Sequence, residues 1–185
     1  SYGPYSTPFG APPSAITNNY QINGVSVGVG PHPDLTIEKV ETIIGNVASI
    51  FSGENGKKTF EGFKENNNHV QISFDSKTGT YSNIELDSST GKPKEGSVID
   101  IHIDPNNFET FSTGIPGQYG TPGEVEGYGV ASIERKIAHE ILHGAFGEWS
   151  GYPGGNGHYG KGLFDALIEY ENQLMQAYDP WEPTR

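Results

Sequence analysis

Residues 132–146 read Ser-Ile-Glu-Arg-Lys-Ile-Ala-His-Glu-Ile-Leu-His-Gly-Ala-Phe, and the rest of the chain is interpreted around them. Ile133, Ile137, Ile141 and Leu142 recur at helical spacing, which predicts a helix from about Ser132 to Ala145 or Phe146 with one apolar face. Residues i and i+4 of a helix share a face, so His139 and His143 fall on one side, a turn apart. Two imidazoles so placed can reach one Zn2+ through ring nitrogens at about 2.0–2.1 Å. A divalent ion there lowers the pKa of a bound water and polarises a carbonyl, and the neighbouring Glu140 stands where a general base would take the proton. Arg135 and Lys136 are expected on the polar face. Gly144 is expected to let a neighbouring strand approach closely.

A catalytic zinc usually takes three protein ligands, so a third is sought downstream of His143. The candidates are Glu148, His158, Asp165, Glu169 and Glu171. The pattern with Gly three and His six residues after the second ligand is absent, because Phe146 and Trp149 occupy those positions. A second helix is expected from about Lys161 to Tyr178, with Pro180 just beyond it. Phe164, Leu167, Ile168, Leu174, Met175 and Tyr178 form its apolar stripe, and Glu171 falls inside that stripe. A carboxylate on a buried face is costly unless it is paired or bound to metal, which makes Glu171 the preferred third ligand. The competing reading is a carboxylate that reaches water or pairs with Arg135 or Arg185. Glu169, His158 and Asp165 stand as alternative ligands. Tyr152, His158 and Tyr159, in a Gly-rich loop, are candidates to bind substrate or donate to a developing oxyanion. His69 and His102 lie on expected strands and read as ordinary core or surface histidines.

Upstream, residues 1–20 are rich in Pro, Gly, Ser and Tyr and read as a linker-like arm, leaving 21–185 as a single domain. A strand is expected at 21–30 and a helix at about 36–51, opened by Asp34 or Thr36 and ended at Gly53. Residues 69–74 and 81–86 alternate in strand fashion. In 97–103 Val98, Asp100 and His102 face one way and Ile99, Ile101 and Ile103 the other. A Gly- and Pro-rich loop is expected from there to about 130. This order predicts an α+β fold with a mixed or antiparallel sheet, an active-site helix and a C-terminal helix carrying the third ligand.

With 23 acidic and 11 basic residues the net charge is −12, which argues against binding nucleic acid or anionic membranes. No apolar run approaches the length of a membrane span, and the absence of cysteine excludes disulfides and thiolate metal sites. The first residues, SYGPYSTPFG, show neither an initiator Met nor a leader pattern, so a processed product or fragment is expected.

A strand ending in Asp-Pro, a Gly/Pro loop, a helix bearing HEILH and a later helix bearing YENQL resemble the zincin metallopeptidases of bacterial effectors and of Rhs-type polymorphic toxins, over about residues 97–180. The resemblance implies a gluzincin-like site of His139, His143 and Glu171 with Glu140 catalytic. It also implies a secreted chain delivered into a target cell, a protein or peptide substrate, and an immunity or inhibitor protein. In the neighbouring aspzincins the third ligand is an Asp after a Gly-rich loop, which here would be Asp165. A general secreted protease and a non-catalytic zinc-binding module are the competing functions.

Overall fold

The computed structural model describes residues 18–77, 79–115, 124–146 and 166–185. Its α+β architecture starts with a hairpin, β1 (Asn18–Ile22) and β2 (Val25–Val29), where a single strand is expected. Asn23 and Gly24 turn the chain at φ 48° and 80°, the left-handed pair that joins two antiparallel strands by two residues. β1 thereby includes three residues of the stretch read as an arm.

Helix α1 (Ile37–Ile50) is capped by Thr36, whose hydroxyl accepts the Lys39 N–H at 3.2 Å. It buries Val40, Ile43, Ile44, Val47 and Ile50, one stripe at the expected spacing. Gly53 does not simply end α1; it opens α2 (Glu54–Glu65), a helix the sequence reading lacks. The chain turns so tightly between the two that a Cβ on Gly56 would stand 2.4 Å from the Phe51 backbone. Only glycine fits there.

Strands β3 (His69–Ser73), β4 (Tyr81–Ile84) and β5 (Val98–His102) complete a five-stranded mixed sheet in the order β1-β2-β3-β5-β4. β2, β3 and β5 run parallel; β1 and β4 close the edges antiparallel. The register stacks Val27, Val70 and Ile99 in one row and Val29, Ile72 and Ile101 in the next. All six are buried. Burying each such side chain is worth about 1.5–3 kcal/mol, so these rows anchor the core. The alternate row, Gly28, Gln71 and Asp100, faces the other way, which gives the sheet one apolar and one more polar face.

Where a loop is expected up to about 130, the chain forms a second, two-stranded sheet of β6 (Glu109–Ile115) and β7 (Glu124–Ala131). Helices α3 (Ile133–Phe146) and α4 (Ala166–Tyr178) follow and pack on each other and on α1. A Cβ on Gly144 would meet Ile99 of β5 at 2.8 Å, so this glycine does admit a close strand. Among the described residues no helix is long and apolar enough to cross a membrane.

Candidate metal centre

Ser132 starts α3, its hydroxyl accepting the Arg135 N–H at 3.1 Å. Ile137, Ala138, Ile141 and Leu142 then sink into the core, each fully buried. That anchoring sets the rotation of the helix and turns His139, Glu140 and His143 toward one another. One candidate ligand atom from each lies within 4.8 Å of the other two, and the two imidazole rings meet edge-on at 4.9 Å. Donor atoms on one tetrahedral zinc sit roughly 3.4 Å apart, given bonds of about 2.1 Å, so small side-chain rotations would bring the two imidazoles to one ion with the Glu140 carboxylate beside it. Imidazole and carboxylate donors suit zinc chemically.

Glu171 enters from α4 with no exposed surface. Its Oε1 accepts the His139 Nδ1–H at 2.5 Å and an N–H of Arg185 at 3.1 Å, while Oε2 accepts the Arg135 Nε–H at 2.7 Å. Arg185 also lies 3.2 Å from His139 Nδ1. Both groups cannot donate to each other, and the shorter carboxylate contact assigns the Nδ1 proton to Glu171. Glu171, the expected third ligand, is paired in this structure with Arg135 and Arg185. Glu171 stands outside the set formed by His139, Glu140 and His143.

The reason lies in the residues assigned to the polar face. Arg135 is 1% exposed and Lys136 5%, so both are core residues. Arg135 sits one helical turn before His139 and binds, besides Glu171, the Asn172 Oδ1 at 2.8 Å, the Glu182 Oε1 at 3.1 Å and the Pro183 carbonyl at 2.7 Å. Its guanidinium also lies 4.3 Å from the centre of the Phe111 ring on β6. Burial pushes the Glu171 carboxyl up. The His139 hydrogen bond and the Arg185 and Arg135 charges outweigh it and hold the carboxyl down at about 2, so Glu171 is an anion.

Thr80, Phe111, Lys136, His139, Glu140 and Arg185 line a cleft of about 170 Å3 over this network. A larger cavity, about 480 Å3, opens between α2 and the loop after β4 and reaches only Gly144 and Ala145 of α3. The smaller cleft is the one beside the His-Glu-His set, because His139 and Glu140 line it.

Of the other expected site residues, Glu169 is exposed on α4 and apart from the His-Glu-His set. Glu148, Tyr152, His158, Tyr159 and Asp165 lie outside the described residues. His102 is held between Asp75 and Asp100 on the sheet, in keeping with an ordinary structural histidine. What the sequence reading missed is the pair of buried cations. Its one available signal was Arg135 at i−4 from His139, on a helix whose neighbours are apolar. Comparison with protein-family models, curated proteins and solved structures finds no match for this chain.

Proposed function

We propose that this chain is a zinc-dependent metalloendopeptidase. The observation that carries the reading is the convergence of His139, Glu140 and His143 on one cleft-lining turn of α3, with Nδ1 of His139 held by a buried carboxylate. Metal-ligating histidines characteristically donate their second nitrogen to such a partner, which fixes tautomer and ring direction.

His139, through Nε2, and His143 would hold the ion, and Glu171, Glu169, His158 and Asp165 stand as candidates for a third ligand. Zinc at this position supplies Lewis acidity, lowering the pKa of water and polarising a peptide carbonyl. Glu140 takes the proton from the attacking water and delivers it to the leaving amine. Glu171 keeps Nδ1 of His139 protonated, and Arg135 keeps Glu171 in place.

The test is elemental analysis of the purified chain together with peptide-library cleavage by wild type and Glu140→Gln. One zinc per chain, with cleavage by wild type alone, supports the reading; a zinc-free wild type ends it. Assignment to bacterial effector or toxin domains rests on the resemblance of residues 97–180. A single cut in a single protein is the signature of that role, and broad cleavage of casein marks a general secreted protease.

A further inference from the structure

Three cations border the cleft, and their pairing differs. Arg135 meets the carboxylates of Glu171 and Glu182, and Arg185 meets Glu171. Lys136, although 95% buried, is held among the described residues by backbone carbonyls, that of Asn107 at 2.9 Å and that of Asp104 at 3.5 Å. Among the described residues no carboxylate pairs with its ammonium. The nearby Glu109, which also lines the cleft, instead accepts from the Asn107 side chain at 3.0 Å. A buried ammonium without a counter-charge is costly, and two neutral acceptors offset that cost only in part.

Lys136 stands one turn before Glu140, so the two share a face of α3. We infer that Lys136 is the anion-recognising group of this cleft, and that the preferred peptide substrate carries a carboxylate beside the bond to be cut. This rests on the peptidase reading and adds the substrate's chemistry to it. In a protein of net charge −12 a cation at this position discriminates by sign: it draws in a carboxylate and leaves a lysine or arginine side chain unmatched. The carboxylate has two sources, an internal Asp or Glu and a peptide's own C-terminus. Both would present the same two oxygens to the ammonium.

The experiment uses the full chain bearing Glu140→Gln, which binds peptide without cutting it. Blocked hexapeptides in Glu/Gln pairs at each position, and one free-acid/amide pair, are titrated by calorimetry. The expected result is a preference of about 10–100-fold for the carboxylate member of one pair, the scale of a charged hydrogen bond. An internal pair or the terminal pair then identifies the source. Adding Lys136→Met should collapse that ratio toward one, and Lys136→Arg should restore a preference. Equal affinity within every pair, or an unchanged ratio in Lys136→Met, overturns the inference. The first comparison needs no substitution at Lys136 and stands even if Lys136→Met fails to fold. Zinc content of the same preparation is read separately, so a zinc-loaded protein without a preference sinks the subsite alone.

Discussion

Two regions of this protein grip a histidine with carboxylates, and they do it in opposite ways. At the end of β5, His102 engages both ring nitrogens, Nδ1 with Asp75 at 2.7 Å and Nε2 with Asp100 at 3.0 Å, while the Tyr81 ring stacks on it at 4.6 Å. On α3, His139 gives one nitrogen to one carboxylate, and the next imidazole stands 4.9 Å away. The carboxylates differ as well: the Asp75 side chain is 60% exposed, whereas Glu171 is sealed. A doubly clamped ring has both nitrogens engaged by carboxylates, suited to tying strands. A ring held through Nδ1 by a buried carboxylate has an orientation and a fixed tautomer, which is what metal ligation requires.

The sharpest way to break this contrast is at the chemistry of α3. Glu140→Gln should keep its zinc and lose about 10²–10⁴-fold in peptidase rate, the usual share of a positioned general base. Retained turnover in a zinc-loaded variant would remove Glu140 from the mechanism. Next in size is Glu171→Ala, which leaves Arg135 buried without its closest carboxylate. A loss of about 3–5 kcal/mol in urea unfolding is expected, with zinc affinity weakened roughly 10–100-fold. The same carboxylate predicts an acid limb of stability. Because its folded pKa lies near 2 against 4.5 ordinarily, its contribution is complete above pH 4.5 and fades as the pH falls toward 2. Melting curves across that window, compared with those of Glu171→Gln, read this directly.

Smaller effects are expected at the end of β5. His102→Ala should leave zinc stoichiometry unchanged and cost about 1 kcal/mol or less, since one of its clamps is largely solvated. Burial pulls the His102 pKa down, but the hydrogen bonds and charges of Asp75 and Asp100 win and raise it above 6.5. A raised folded pKa means that the stabilisation is present in full below pH 6.5 and disappears as the pH climbs through the folded value. Asp100→Asn should flatten that slope. A zinc loss in His102→Ala would erase the distinction between the two regions.

The same division describes what the sequence made legible. Repetition showed through: the stripe of α1, the alternation of Ile99, Ile101 and Ile103, and the His-Glu-Ile-Leu-His turn each depend on neighbours in the chain. α2 was obscured because its segment, ENGKKTFEGFKE, carries few apolar residues and is held by Phe60 against Phe51, with Phe63 packed on Phe60. The β6–β7 hairpin was obscured by glycines, and its pairing joins residues far apart in sequence. Arg135 and Lys136 looked solvent-facing because the groups that make their burial tolerable, Glu171, Pro183 and Asn107, lie about 30–50 positions away. Local patterns disclose where a charge sits on a helix and say nothing of what will come to meet it.

The stitching of Arg135 to Glu182 and Pro183, and of Arg185 to Glu171, sets a clock on the protein's birth. Forty-six positions separate His139 from Arg185. At a synthesis rate of about 5–20 residues per second, the wall behind His139 is delivered roughly 2–9 seconds after the histidine itself. A nascent chain therefore carries α3 before it carries the partners of Arg135 and Glu171 at residues 182–185, and that packing waits for those residues to dock.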